Sequence, residues 1–384
     1  MNNRINNNPT IVYAIPFFDE TGPMRAPYQL CKGFLGTGWS VIIETLRQEG
    51  NSNINIIWEK VPIKKINGVN RKHQMLNYIF NFLKKRDGQV VISWVWYWHC
   101  FSLLISKIFF KNPYVIVLDS YTHLSPDELK GPFSKLRLEL RYGLILRFAD
   151  VIIAETARSY EHVQHYIKAP QKFYIPICFW KKDLDEIEQR WSEERFQPQR
   201  EPIVFYAGRI TETKKIHHLI EAFNCLSGVF PNWTLEIRGP VTDPGYLESL
   251  KDLVSQKGLG QRIQFLPALY GEDLYRRYRS TSIYCLPSSF EGIPTTILEA
   301  MYFGGAVVAA SSGHIKFQLD EGNCGLLFKP GDTDKLAEHL RLLMESSLER
   351  DNYIEKSRSR VLEHFIWEKY FSRLDSSLRD LIQS

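Results

Sequence analysis

Two stretches of this 384-residue chain carry side chains whose types and spacing suit an anionic, hydroxyl-rich ligand. The first is Ser288-Ser289-Phe290-Glu291-Gly292-Ile293-Pro294-Thr295-Thr296-Ile297-Leu298-Glu299-Ala300-Met301, directly after the apolar run Ile283–Leu286. Its order reads as a strand end, a turn bearing Gly292 and Pro294, and a helix start. The first amides of a helix lack intrahelical partners and its macrodipole favours negative charge, so such a tip suits a diphosphate. Glu291 precedes the helix and Glu299 lies within it, which gives two carboxylates able to accept hydrogen bonds from paired hydroxyls. Taken singly, Glu291 reads as a helix-start acid and Glu299 as a solvated face residue; the string as a whole favours a site.

The second stretch, Phe205-Tyr206-Ala207-Gly208-Arg209-Ile210-Thr211-Glu212-Thr213-Lys214-Lys215, sets two cations after another strand-like run. Arg209 can grip phosphate oxygens bidentately, and Lys214 adds a point charge. Cations so placed neutralise the charge gathering on a departing phosphate, which stabilises a transition state electrostatically. Plain surface charge is the competing reading; Gly208, which permits close backbone approach, weighs against it.

Together these strings resemble the donor site of glycosyltransferase family 4, whose fold is GT-B, over about Ile203 to Met344. The resemblance implies glycosyl transfer from a nucleoside-diphosphate sugar with retention at the anomeric carbon. By motif position it places Arg209 and Lys214 on the diphosphate, Glu291 on the donor sugar and Glu299 on the ribose. It adds Gly208, Arg238, Gly239 and the backbone of Gly292, Ile293, Pro294, Thr295 and Thr296 to the donor contacts, and makes Phe265-Leu266-Pro267 a nucleobase shelf. The N-terminal half matches more loosely, through Ile11–Pro16, Asp19–Arg25, Gly38-Trp39-Ser40-Val41 and Ala149-Asp150-Val151-Ile152.

Three positions depart from the family pattern. An early glycine pair is reduced to Gly22 followed by Pro23, which leaves Gly22 as the donor contact that loop is expected to offer. A histidine is common just after the strand that here reads Tyr114–Leu118; this chain offers Asp119, Ser120 and then His123, and either Asp119 or His123 is a candidate for the reacting centre. Ser312-Gly313-His314-Ile315-Lys316-Phe317 resembles a glycine-rich sugar loop without its second glycine and glutamate, so His314 is expected to do what a glycine amide does elsewhere.

Short β-branched and aromatic runs alternate with helix-length amphipathic stretches, predicting parallel sheets covered on both faces. The first series is Thr10–Ile15, Ser40–Glu44, Val90–Val95, Tyr114–Leu118, Val151–Ala154 and Phe173–Ile175. The polar segment 181–201 then reads as a linker, and a second series runs through Ile203–Ala207, Thr234–Arg238, Arg262–Leu266, Ile283–Leu286, Ala306–Ala309 and Gly325–Phe328. The expected architecture is α/β, with two facing Rossmann-like domains of doubly wound parallel sheet and a cleft between them. Residues 1–180 would bind the acceptor and 202–365 the nucleotide sugar, while 366–384 would form a helix packing back on the first domain. Its apolar positions Tyr370, Phe371, Leu374, Leu378 and Leu381 stand at helical spacing.

Composition narrows the class. An apolar fraction of 44% and a charged fraction of 24% fit a globular enzyme, and the length favours two cores. Six cysteines stand singly, without metal-ligand spacing, which fits a reduced cytoplasm. No secretory signal is read at the start, and the apolar stretch Val90 to Phe110 is interrupted by His99, Ser102, Ser106 and Lys107, so it reads as strand plus helix rather than a membrane span.

Residues 1–180 hold 22 Lys and Arg against 13 Asp and Glu, while the remainder holds 26 against 30. Much of the excess, including Lys64, Lys65, Arg71, Lys72, Lys84, Lys85 and Arg86, surrounds an aromatic-rich segment. It reads equally as a solvated face or as contact with an anionic membrane or acceptor. The aspartate pairs Asp183/Asp185 and Asp332/Asp334 are not read as metal ligands, since Asp332 suits a helix cap.

The resulting expectation is a cytoplasmic, metal-independent hexosyltransferase-type enzyme, peripheral at the membrane if the basic half engages it. Its partners are a nucleotide-sugar donor and a glycan, lipid-linked or small-molecule acceptor, with no nucleic acid and no cofactor. The rival readings are a non-catalytic sugar-nucleotide-binding subunit and a nucleotide-sugar epimerase or phosphorylase of the same fold.

Overall fold

The computed structural model describes residues 9–14, 17–18, 25–45, 47–48, 63–65, 76–77, 80–81, 83–94, 99–118, 144–166 and 171–383. The chain divides into two units, one of Met1–Trp180 with Trp367–Ser384 and the other of Lys181–Ile366.

In the first unit the strands are β1 (Thr10–Ala14), β2 (Phe17–Phe18), β3 (Ser40–Thr45), β4 (Arg47–Gln48), β5 (Ile63–Lys65), β6 (Gln89–Trp94), β7 (Tyr114–Leu118), β8 (Val151–Ala154) and β9 (Gln171–Tyr174). Seven of them form a sheet in the order β5-β3-β1-β6-β7-β8-β9, and β2 pairs with β4 separately. Every ladder in the sheet is parallel. β7 and β8 are buried throughout, as continuous β-branched runs require when both faces of a sheet are covered. The stretch Val90 to Phe110 resolves into β6 and the helix His99–Phe110. No helix among the described residues is long and apolar enough to cross a membrane.

The final helix, Glu368–Gln383, belongs to this unit and buries Phe371, Leu374 and Leu378. Phe371 lies edge-on to Phe34 at 5.1 Å and to Trp180 at 5.2 Å. Asp375 accepts from Trp39 Nε1 at 2.6 Å. Gly33 makes this packing feasible, because a Cβ there would sit 2.4 Å from the Trp180 ring.

One part of the expected basic face is corrected here. Arg86 is buried and pairs with buried Glu44 at 2.9 Å, so its charge is spent inside the unit rather than presented to a partner. Arg71 and Lys72 lie outside the described residues.

The second unit holds β10 (Glu201–Ala207), β11 (Thr234–Arg238), β12 (Ile263–Leu266), β13 (Thr281–Leu286), β14 (Ala306–Ala310) and β15 (Leu326–Phe328) in the order β12-β11-β10-β13-β14-β15. All of its ladders are parallel. The segment 181–201, expected as a linker, opens with the helix Lys181–Glu193, which buries Leu184 and Trp191. Three apolar positions, Leu184, Ile187 and Trp191, give that polar sequence one packing face, and Trp191 meets Phe303 at 5.6 Å.

The strand order carries a functional consequence. β10 enters first and mid-sheet; the chain winds outward to β12, then returns to place β13 on the other side of β10. Ligands of open α/β sheets bind at the carboxyl ends of the strands where the winding reverses. Here that point lies between β10 and β13, and both sequence strings leave from it.

Candidate donor site

The loop after β10 runs through Gly208 and Arg209 into a short 3-10 turn, Glu212–Lys214. The loop after β13 runs through Ser288 to Pro294 into the helix Thr295–Phe303. The two loops are stitched together: the Ser289 amide donates to the Thr213 carbonyl at 3.1 Å and the Ser289 hydroxyl to the same oxygen at 3.0 Å. Lys214 Nζ then reaches Glu291 Oε1 at 2.5 Å, with side-chain exposures of 13% and 6%. Taking such a pair out of water carries a desolvation cost that the mutual attraction of the two charges must offset.

Beside this pair stands a helix tip with no side-chain cap, because the N-cap is Pro294. The guanidinium of Arg209 is exposed and makes no ion pair among the described residues. The two joined loops thus carry an exposed guanidinium, an ammonium already held by a carboxylate, and the uncapped start of a helix. A polyanion fits there by charge, and a hydroxyl-bearing group fits beside Glu291.

Tyrosines beneath the sheet end fix these loops. The Tyr206 hydroxyl donates to the Arg209 carbonyl at 2.8 Å, and the Tyr284 hydroxyl to the Ala207 carbonyl at 3.2 Å. Burial pushes both phenols well above their ordinary value, so they act as donors. Gly208 was expected to admit a ligand; the tighter demand falls on Gly239, where a Cβ would meet the Gly208 carbonyl oxygen at 1.7 Å. Arg238 pairs with Glu236 and donates to the Pro267 carbonyl at 3.3 Å. The contact joins the end of β11 to the Phe265-Leu266-Pro267 segment, where Phe265 and Leu266 are half-buried and Pro267 is exposed.

Glu299 takes a place that neither reading foresaw. It has no exposed surface, and the Tyr278 hydroxyl donates to its Oε2 at 3.4 Å. The helix that carries it buries every residue from Ile297 to Phe303, so no solvated face exists for it to occupy. In this conformation Glu299 supports the helix from inside and offers no open carboxylate to a ribose.

The loop after β14 completes the site. The Ser312 hydroxyl donates to the Ser288 carbonyl at 3.1 Å, and the His314 amide donates to the Gly292 carbonyl at 2.9 Å. Gly313 sits at φ 56°, and a Cβ there would fall 1.8 Å from the Glu291 carbonyl oxygen. His314 therefore lies against the Glu291-Gly292 turn, its ring 4.6 Å from that of Phe317. Burial lowers its imidazole to about 4, so it is neutral at physiological pH.

Gly22, Asp119 and His123 lie outside the described residues. Sequence reasoning missed Lys215, which occupies the left-handed region at φ 51°, ψ 38° where the 3-10 turn passes into the helix Ile216–Ser227. It also missed the pairing of Lys214 with Glu291, which had been assigned to different parts of a ligand. Among the described residues no group of three or more His, Cys, Asp or Glu side chains stands close enough together to hold a metal ion. Asp332 caps the helix Thr333–Glu345 by accepting from the Lys335 amide at 3.0 Å.

Residues 187–360, most of the second unit, match the profile of the family described as "Glycosyl transferases group 1". An "Uncharacterized glycosyltransferase" of Haemophilus influenzae is 29% identical over 144 residues, covering 37% of this chain and 39% of that protein. A "D-inositol 3-phosphate glycosyltransferase" of Corynebacterium efficiens is 28% identical over 206 residues, covering 51% and 49%. The chain thus spans half or less of the length of these curated relatives. Anabaena HepE, solved in complex with UDP and glucose, superposes with a TM-score of 0.75 at 17% identity, covering 97% of this chain and all of that one. The fold is that of GT-B glycosyltransferases.

Proposed function

Because residues 187–360 match the profile of the glycosyl transferases group 1 family, we propose that the chain is a retaining, family 4-type glycosyltransferase using a nucleoside-diphosphate sugar. One observation carries the reading: Lys214 meets Glu291 at 2.5 Å beside an uncapped helix tip, at the point where the sheet's winding reverses. The fold neighbour solved with UDP and glucose supports a nucleotide-sugar donor.

The mechanism follows from charge. The diphosphate occupies the helix tip, where Arg209 grips it, and draws Lys214 from its carboxylate. Glu291, released, accepts a hydroxyl of the donor sugar and orients the ring. The bond between the anomeric carbon and the phosphate oxygen breaks as the acceptor oxygen bonds to the same face of that carbon. The acceptor proton passes to the departing phosphate, whose growing charge the two cations stabilise. His314, neutral and beside Glu291, contacts the sugar, and Phe265-Leu266-Pro267 supports the base. No metal is required, because fixed side chains supply the positive charge.

The first unit takes the acceptor, a glycan, a lipid-linked molecule or a small molecule. Its basic excess supports peripheral contact with an anionic membrane from the cytoplasm. The test is turnover: purified protein is offered UDP-, GDP- and ADP-sugars with an acceptor panel, with and without chelator, and the product anomer is read by NMR. Retained configuration at a chelator-insensitive rate is expected. Donor binding without turnover would leave a binding subunit, and isomerisation of donor alone would leave an epimerase.

A further inference from the structure

The helix His99–Phe110 ends in a row of large apolar side chains that stand exposed. Ile105, Ile108 and Phe109 share one helix face by their spacing and are 42%, 54% and 74% exposed, and Phe110 beside them is 38% exposed. Nearby tips repeat the pattern, with Phe148 at 43% and Phe80 at 61%.

Hydrogen bonds fix these tips at one edge. Lys107 Nζ pairs with Asp150 Oδ1 at 2.5 Å, and Asp150 Oδ2 accepts from the Tyr114 amide at 2.8 Å. Asn112 donates to the Lys84 carbonyl at 2.7 Å and accepts from the Arg86 amide at 2.8 Å. The helix end, the turn before β6 and the turn before β8 therefore meet at the amino ends of β6, β7 and β8. In a parallel sheet this is the edge opposite the carboxyl ends where ligands bind.

Cations frame the apolar side chains: Lys84, Lys85, Lys111 and Arg147 are all exposed, against Asp87, which Lys85 already pairs at 2.9 Å. Clustered exposed hydrophobes of this size mark an interaction surface. Single aromatic side chains standing outward beside lysine and arginine suit the headgroup region of an anionic bilayer, where the ring is buried and the cation meets phosphate.

We propose that this edge, led by Ile108 and Phe109, is the element that docks the first unit on an anionic lipid surface. The proposal rests on the membrane contact put forward above and assigns it to named residues of the first unit.

The experiment is co-sedimentation of the full chain with phosphatidylcholine vesicles, with and without phosphatidylglycerol. It compares wild type, Ile108→Ser/Phe109→Ser and Lys111→Glu/Arg147→Glu, with UDP-induced thermal shift as the control for an intact second unit. Wild type is expected on the anionic vesicles. Each double variant is expected to bind at least about tenfold less with the thermal shift unchanged. Anionic-vesicle binding that survives both double variants overturns the assignment and leaves the membrane contact standing. Absence of wild-type binding to anionic vesicles overturns both. Equal wild-type binding to neutral vesicles overturns the role given to the cations. A wild-type dimer that Ile108→Ser/Phe109→Ser converts to monomer would show that a second copy covers this edge instead, and would also overturn the proposal.

Discussion

Lowering the pH should weaken the candidate site through His314 before it protonates most carboxylates. The ring is largely buried against Phe317, its Nε2 finds no hydrogen-bond partner, and burial holds it at about 4. The sign follows from linkage. A base whose folded value is depressed binds its proton more readily in the unfolded chain, whose imidazole titrates near its ordinary value of about 6.5. The neutral ring's contribution is thus complete above about pH 6.5 and declines as the pH falls toward 4. From those two values the loss is about 2 kcal/mol at pH 5 and on the order of 3 kcal/mol at pH 4. The assay is urea unfolding at pH 7.5 and pH 5, comparing wild type with His314→Phe. Burial also lowers His217, His218 and His339, but these remain in both proteins and cancel in the difference. Wild type should lose about 2 kcal/mol more than the variant. An equal loss, or an NMR titration that puts the His314 ring near its ordinary value, would refute the reasoning.

Lys215→Gly should stabilise the second unit by about 1 kcal/mol, because a glycine relieves the left-handed conformation at φ 51° while removing only a loose pair with exposed Glu212. An unchanged or lowered melting temperature would count against it. Gly239→Ala should destabilise by about 1–3 kcal/mol, since its Cβ would strike the Gly208 carbonyl, and UDP affinity should fall with it; calorimetry reads both. Arg86→Met should cost about 3–5 kcal/mol by leaving buried Glu44 without its closest cation, and Glu44→Gln/Arg86→Met should recover most of that in the same denaturation assay.

Much of the architecture is legible in local pattern. Tyr114–Leu118 and Val151–Ala154 fall on the strands as read, because a continuous apolar run rich in β-branched residues has few alternatives once both faces are covered. The short edge strand β5, Ile63–Lys65, carries two lysines and offers no such run. The helix Lys181–Glu193 hides because one narrow apolar stripe is enough to pack it while the rest reads as linker. At the site, the residue types of both loops were visible, because strand ends announce themselves by a change from apolar to glycine and charge. What local pattern cannot carry is which loop meets which. Lys214 finds Glu291 across 77 positions only because the sheet winds back past β10, and Glu299 is buried only because its helix is covered on every side. Arg86 is a similar case, its cationic character plain in sequence and its buried partner Glu44 supplied by the fold.

The central claim is that Lys214 and Arg209 form the phosphate-binding pole of the site. The direct measurement is calorimetric titration of UDP, GDP and ADP into wild type, Arg209→Met and Lys214→Met, with melting curves to confirm that each variant is folded. At least one nucleotide should bind wild type, and each variant should bind it at least about tenfold more weakly, a loss of about 1.4 kcal/mol or more. Wild-type affinity in both folded variants would contradict the account.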